Sequence, residues 1–369
     1  MKSINKKGSK QMEKYKFALI GCGSMMGRHL SEVNRIEGAE VVCVCDIVRE
    51  NAEIAAEEIG GNPIIVEDYG KILDVVDIDA VFVALPHHLY FDCGMYFALN
   101  KKHILMEKTM CNTEAECIRL IETCDKMGVT LMCAYPNRYR PGMIKLKEML
   151  ESGEYGEIMQ MSIWTEQLTG EQMSYIKGNC WSYDNRVGGG QLFAHGCHYI
   201  DVLLWFLGNP LWGAHMGTNN GTPWMLEEGT SAVVMKFENG AVAYHGATWG
   251  ARGTRLGYDF QVQTEKGMLE YMRFEDEIRL YDENMAHVPG AMTEQKGKYK
   301  VLWKGEDENS KSTRYEIMHF IECVREGKEP MTSGKNALQS LRVIWALYNA
   351  EKNNMLADLR GLGFENQMK

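Results

Sequence analysis

The chain has 369 residues, 45% of them hydrophobic and 24% charged, the profile of an ordinary globular protein long enough for two domains. Its formal net charge of −10 argues against a nucleic-acid partner, which needs a concentrated basic surface, and no apolar run approaches the length of a membrane span. Residues 1–13 begin MKSINKKGSKQM, basic and polar without the apolar stretch of a signal peptide, so they are read as a flexible leader and the protein is expected in the cytoplasm.

From Lys16 to about Tyr135, apolar runs alternate with helix-length amphipathic segments. Strands are predicted at 16–20, 41–45, 64–66, 80–85, 103–106 and 130–134, and helices near 26–36, 49–59, 68–74, 89–99 and 113–127. That alternation predicts an α/β domain over residues 14–137, a Rossmann-type doubly wound parallel sheet, in which ligands bind beyond the strand C-termini. The residues expected there are Gly21–Gly27, Asp46, Leu85 to His88, Glu107 with Lys108, and Tyr135–Arg138.

The first strand, KFALI, runs into Gly21-Cys22-Gly23-Ser24-Met25-Met26-Gly27 and then a helix, and the second strand ends on Asp46. Gly21 permits a tight turn and Gly23 lets backbone approach a pyrophosphate. Ser24, Met25 and Met26 open a helix whose N–H groups and dipole favour an anion, and Asp46, about 20 residues on, can accept hydrogen bonds from ribose hydroxyls. Met26 occupies the third glycine position of G-x-G-x-x-G, and Gly27 comes one residue late. The whole order still points to a nicotinamide dinucleotide. Asp46 repels a 2′-phosphate, so NAD is expected over NADP, with Arg49 the one nearby residue that opposes this preference.

After Pro141 the pattern changes. A helix at 141–151 leads to the alternating strand EIMQMSIWTE, a stretch rich in Trp and Gly up to Gly190, and an apolar helix at 191–207. Strands at 230–237, 240–248, 257–264, 267–273 and 277–282 and helices at 313–326 and 334–352 complete an α+β domain over residues 138–369. Its sheet is expected to be open and mainly antiparallel, with a free face through which a homo-oligomer would form. The eleven cysteines include no C-x-x-C pair and read as buried reduced thiols.

Two histidines carry the chemistry in this half. His195 and His198 are spaced i,i+3 on an apolar helix, so both imidazoles can meet on one face and exchange protons near neutrality. A zinc site completed by Glu166 or His87 is the alternative use of that pair, and no metal is expected. Lys108 ends a strand on the ligand side of the first sheet, where its ammonium can reach a substrate oxygen. The plain alternative is an ion pair with Glu107.

Four segments resemble the Gfo/Idh/MocA family, oxidoreductases acting on sugars, polyols and related compounds with NAD(P). They are GCGSMMGRHL, HILMEKTM, CAYPNRYRP and GGGQLFAHGCHYID, and the resemblance extends to the C-terminal EGKEPMTSGKNALQSLRVIWALYNA. Three positions depart from the family pattern. Thr109 replaces the proline after Glu-Lys, and because a non-proline cis bond costs about 3 kcal/mol, a trans peptide is expected. Ala194 replaces the family's helix aspartate, and Tyr90 replaces its histidine after the Pro-Asn turn, where His87 and His88 now stand.

The resemblance implies an NAD-dependent dehydrogenase acting on a secondary hydroxyl of a sugar, polyol or glycoside, with 3-oxidation of a glucoside as its most specific form. Lys108, His198 as general base, and His195 are the implied catalytic residues, and Asp201 is a candidate to orient His198. Pro86, His88, Glu107 and Lys108 join the glycine turn and Asp46 at the cofactor. Tyr135, Arg138 and Trp181 join the two histidines at the substrate. Ala194 also motivates a redox-neutral glycoside hydrolase or lyase working through a keto-sugar, and Ala194 with Thr109 motivates a non-catalytic NAD-binding sensor.

Overall fold

The computed structural model describes residues 14–168 apart from Asn34 and Glu37, together with 189–281, 299–305 and 313–366. In the first half, β1 (Tyr15–Ile20), α1 (Ser24–Val33), β2 (Ala39–Cys45), α2 (Arg49–Ile59), β3 (Ile64–Val66), α3 (Ile72–Val75) and β4 (Ala80–Val83) follow in turn. Then come α4 (Tyr90–Leu99), β5 (His103–Glu107), α5 (Glu114–Met127) and β6 (Leu131–Ala134). The strands form a six-stranded parallel sheet in the order β3-β2-β1-β4-β5-β6, the doubly wound arrangement expected from the alternation. Helices cover both faces, which is why Ala80–Val83 and Leu131–Ala134 are buried along their whole length rather than alternating. Sequence punctuation sets the ends: α5 starts on a capping box of Thr113 and Glu116 and stops at Gly128 in the left-handed conformation.

A short turn, Pro136–Tyr139, leads to α6 (Pro141–Glu151) and β7 (Ile158–Glu166). A π-helical turn, Leu192–Gly196, then runs straight into α7 (Cys197–Leu207). The second sheet adds β8 (Pro210–Thr218), β9 (Thr230–Phe237), β10 (Val242–Thr248), β11 (Tyr258–Thr264), β12 (Gly267–Met272), β13 (Glu277–Tyr281), β14 (Lys300–Lys304) and β15 (Ala357–Asp358). Its nine strands are ordered β14-β13-β12-β11-β7-β10-β9-β8-β15, and among the described pairings only β7 with β10 is parallel. Two helices close the chain, α8 (Thr313–Glu326) and α9 (Gly334–Lys352).

Strand β8 escapes a reading by hydrophobic periodicity because proline and two glycines interrupt PLWGAHMGT, and β14 and β15 are too short and polar to announce themselves. The inner face of the large sheet, with Met161, Ile163, Val233, Met235, Phe260 and Val262, packs in one core with Leu203, Leu204, Leu341 and Ile344 of α7 and α9. Helix α8 returns to the first sheet, where Ile317, Phe320 and Ile321 share a core with Phe17, Leu19 and Phe82. The two halves are therefore laced together, and the C-terminal edge of the parallel sheet lies against the start of α7.

Candidate active site

The glycine turn has the shape that its residues predict. Gly21 has φ +83°, and a Cβ there would lie 2.3 Å from the Ala84 carbonyl oxygen, so only glycine lets β4 pass this close. Among the described residues nothing lies within 4 Å of the position a Cβ would take at Gly23. That open space, at the start of a helix with no acidic residue in its first turn, fits a pyrophosphate. Asp46 is held at the end of β2 by the Cys22 N–H at 2.8 Å, the Val48 N–H at 2.8 Å and the Asn51 side-chain amide at 3.3 Å. Arg49 turns to Glu53 at 2.8 Å and Glu67 at 3.1 Å, so its charge is already answered. Pro86, exposed, and His88, half-buried, follow β4 at the same sheet edge, whereas His87 is buried against Tyr90 and Phe193.

Glu107 and Lys108 part company at the end of β5. The sequence reading puts Glu107 at the cofactor, but its carboxylate is buried and lies 2.7 Å from His29 Nε2, while His29 Nδ1 lies 2.7 Å from the Thr313 hydroxyl. These contacts tie α1, β5 and α8 together, and Glu107 therefore braces the strand end. The Lys108 main-chain N–H donates to Glu107 Oε2 at 3.2 Å, but among the described residues its ammonium makes no ion pair with that carboxylate. Its Nζ crosses to the other half and donates to the main-chain oxygen of Ala194 at 2.9 Å. The Lys108–Thr109 peptide is cis, against the trans form expected from the general cost at non-proline residues, which says little about one position whose neighbours Thr109 and Met110 are fully enclosed.

Ala194 lies in the π turn, a local widening of the helix that recurs at functional sites. Its carbonyl gives Lys108 a neutral partner where the family pattern places a carboxylate. His195 and His198 meet as their spacing predicts, with ring centroids 5.9 Å apart. Around His195 are Tyr199 at 5.3 Å, Trp249 at 6.1 Å and Tyr258 at 6.1 Å between centroids. Burial, followed by the nearby His198 and Lys108, lowers the His195 pKa well below its ordinary value, so this imidazole is neutral at physiological pH. The Gln191 side-chain amide lies 3.3 Å from His195 Nδ1 and fixes which ring nitrogen faces the crevice.

The helix start is clamped from outside. One Glu228 carboxylate oxygen accepts from the Leu192 N–H at 3.0 Å and from the Tyr348 hydroxyl at 2.6 Å, and the Tyr348 oxygen accepts from the Phe193 N–H at 3.1 Å. A Cβ at Gly190 would lie 2.2 Å from that carboxylate, so the last glycine of the triple-glycine run makes room for it. Burial raises the Glu228 pKa to about 7.

Other expected positions fall elsewhere. Arg138 makes a bidentate pair with Asp201, Nε to Oδ2 and Nη2 to Oδ1 both at 2.7 Å, and donates a third bond to the Met331 carbonyl at 3.0 Å. Its side chain is buried and locks the turn to α7, so it lines no sugar wall, and Asp201 has both oxygens engaged by Arg138 rather than orienting His198. Tyr135 is fully buried with its ring edge-on to His198 at 5.6 Å, which makes it a support for that imidazole instead of a contact surface. Trp181 lies outside the described residues. Among the described residues no group of three or more His, Cys, Asp or Glu is arranged to hold a metal, and the described cysteines are all free and buried.

Residues with no sequence signal complete the crevice. Trp249 Nε1 donates to the Gln167 side-chain oxygen at 3.2 Å, and the Gln167 amide donates to the Tyr258 hydroxyl. Arg273 stacks on Tyr258 with its guanidinium carbon 4.4 Å from the ring centroid. These come from the ends of β7, β10, β11 and β12, and only the sheet order brings them beside α7.

Comparison with known proteins agrees with this geometry. The model of an oxidoreductase family with an NAD-binding Rossmann fold, GFO/IDH/MocA, matches residues 15–135, and the GFO/IDH/MocA C-terminal domain matches residues 143–270. The scyllo-inositol 2-dehydrogenase (NAD(+)) of Bacillus subtilis is 24% identical over 348 residues, covering 93% of this chain and 95% of that protein. An oxidoreductase from Thermotoga maritima superposes with a TM-score of 0.80 at 22% identity, covering 95% of this chain and 100% of the other. One from Agrobacterium radiobacter, solved with NAD+, L-tartaric acid and magnesium, superposes at 0.79 with 17% identity, covering 94% and 98%.

Proposed function

The chain belongs to the Gfo/Idh/MocA family of NAD-binding oxidoreductases, and from that premise we propose that it oxidises a secondary hydroxyl of a sugar, polyol or glycoside. The single observation that carries this reading is the bond from Lys108 Nζ to the Ala194 oxygen, which brings an ammonium and two imidazoles to the sheet edge where the glycine turn opens. Bound NAD would supply the hydride acceptor.

The chain's own residues supply the rest. Gly21, Gly23 and the N–H groups of Ser24, Met25 and Met26 would hold the pyrophosphate, Asp46 would accept from the adenosine ribose, and Pro86 and His88 would border the same groove. The exposed side chain of Ile47, next to Asp46, would give an adenine an apolar neighbour. Lys108 donates to the reacting oxygen and stabilises the alkoxide character that develops as hydride leaves. His198 takes the hydroxyl proton, and His195, neutral beside it, orients the sugar and offers a second proton site. Trp249, Gln167 and Tyr258 give the crevice the mix of ring faces and polar groups that a polyol requires.

We also assign a second copy of this chain to the outer face of the large sheet. Trp212, Met216, Val234 and Val242 are exposed there on adjacent strands, and β8, β9 and β10 place them side by side. No helix among the described residues is long and apolar enough to cross a membrane.

The test is NAD reduction with a panel of inositols, hexoses and glycosides, followed by identification of the keto product. Stoichiometric NADH supports the dehydrogenase, and a 3-keto-glucoside supports its most specific form. Release of aglycone without net NADH would instead favour the redox-neutral route, and NAD binding with no turnover of any kind would sink both.

A further inference from the structure

Two arginines beyond His195 have no part in the proposed hydride transfer. Arg140 follows the Pro136–Tyr139 turn and caps the start of α6, and Arg273 follows β12. Arg140 is only 7% exposed, its side chain hydrogen-bonds that of Tyr271 and lies near Tyr199, and its Nε has no hydrogen-bond partner among the described residues. Arg273 lies over the Tyr258 ring, the same ring whose centroid is 6.1 Å from that of His195. Neither arginine has a carboxylate partner among the described residues. Asp276 joins the network through Tyr271, whose hydroxyl donates to its carboxylate at 2.8 Å.

Burial and then the like charge of Arg273 lower the Arg140 pKa, and the charges of Lys108 and Arg273 both reach His195. Ala194 offers Lys108 a neutral carbonyl, and among the described residues neither guanidinium group makes a direct ion pair with a carboxylate. A desolvated guanidinium is costly unless it is paired, and its planar fork matches the oxygens of a carboxylate or phosphate.

We propose that Arg140 and Arg273 form an anion subsite, so that the substrate is an anionic sugar derivative whose carboxylate or phosphate ester docks there while its reacting hydroxyl meets Lys108 and His198. This rests on the dehydrogenase reading and narrows its substrate class. The fold gives these two charges tyrosine partners, Tyr271 for Arg140 and Tyr258 for Arg273, and leaves the carboxylate or phosphate to the ligand, in contrast to Arg138 two residues earlier, whose carboxylate is built in.

Matched pairs test it: NAD reduction with D-glucuronate against D-glucose, D-gluconate against sorbitol, and glucose 6-phosphate against glucose. The acid of at least one pair is expected to exceed its neutral parent about tenfold in kcat/KM, with that ratio falling toward one in Arg140→Gln and Arg273→Gln. The uronate and phosphate arms identify which anion the site takes. Arg273→Gln is the safer variant because Arg273 is half-buried, and thermal protection of the wild-type protein by malonate or inorganic phosphate, against chloride at equal ionic strength, needs no turnover. Protection is expected to saturate and to weaken in Arg273→Gln. Equal kcat/KM for acids and parents, or protection no greater than that of chloride, overturns the subsite and leaves the dehydrogenase standing. Saturable, Arg273-dependent protection with no NADH from any pair supports the subsite and removes the dehydrogenase.

Discussion

Arg138 and Arg140 leave one turn two residues apart and enter opposite environments. Arg138 goes into the contact between the turn and α7, where Asp201 takes two of its nitrogens, the Met331 carbonyl a third, and the Phe364 ring lies 4.3 Å from its guanidinium carbon. Arg140 is buried beside Tyr199 and Tyr271, hydrogen-bonds the Tyr271 side chain and meets the like charge of Arg273. Burial alone does not separate them. What separates them is a carboxylate in direct contact: where the described residues supply one, the pair is architecture, and where they do not, the proposed subsite leaves it to a ligand.

The largest expected effect tests the architectural side. Arg138→Met leaves the Asp201 carboxyl buried without its cation, and unfolding in urea is expected to show a loss of about 3–5 kcal/mol. Arg138→Met with Asp201→Leu is expected to recover most of it. A loss under about 1 kcal/mol from the single change would mean that this pair is no more structural than its neighbour, and the contrast would fail.

Next comes the crevice. Lys108→Met removes one hydrogen bond to a neutral carbonyl, so stability is expected to change by less than about 1 kcal/mol, while kcat falls about 10²–10³-fold through loss of alkoxide stabilisation. His198→Ala is expected to fall by a similar factor and His195→Ala by less, each measured with NAD affinity as the control. The reverse order of the two histidines would move the proton acceptor one turn along the helix.

How much of this was legible beforehand follows the same division. The parallel sheet, the glycine turn and Asp46 are local patterns: Gly21 and Asp46 stand within one βαβ unit, and periodicity finds them. His195 and His198 meet because i,i+3 spacing on a helix is also local. The ion pair of Arg138 joins residues 63 apart in sequence, and the wall of Gln167, Trp249, Tyr258 and Arg273 exists only through the strand order of the second sheet. Motif reading therefore chose Arg138, the conspicuous arginine of the turn, and passed over Arg140, whose role depends on what is missing around it. The partner of Lys108 was illegible for a related reason, since a main-chain carbonyl in a π turn leaves no mark on residue identity.

Glu228 is the intermediate case, a largely buried carboxylate answered by hydrogen bonds but, among the described residues, by no cation. Burial raises its pKa to about 7, with the Tyr348 hydroxyl and Leu192 N–H acting in the opposite direction. In the unfolded chain a glutamate titrates near 4.3, so between about pH 4.5 and 7 the folded state holds a proton that the unfolded state has released. Its contribution therefore falls as pH rises through that window and levels off above it. Glu228→Gln is expected to remove this slope, gaining on the order of 1–3 kcal/mol relative to wild type between pH 5 and pH 8 in urea titrations. A parallel pair of curves would show that the carboxylate is ionised throughout and behaves like a fully answered charge.

The smallest effect converts an answered arginine into an unanswered one. Arg49 is exposed beside the Asp46 groove and is occupied by Glu53 and Glu67. Replacing both acids by glutamine should change stability by less than about 1 kcal/mol, because exposed pairs contribute little. The freed guanidinium would then face the position of a 2′-phosphate, the role an arginine takes in NADP-binding members of this fold class. Asp46 still repels that phosphate, so the gain is limited: kcat/KM with NADP is expected to rise about threefold to tenfold while that with NAD stays nearly constant. No rise with NADP would show that Asp46 alone sets the preference and that an exposed arginine, unlike a desolvated one, recruits no anion merely by losing its partners.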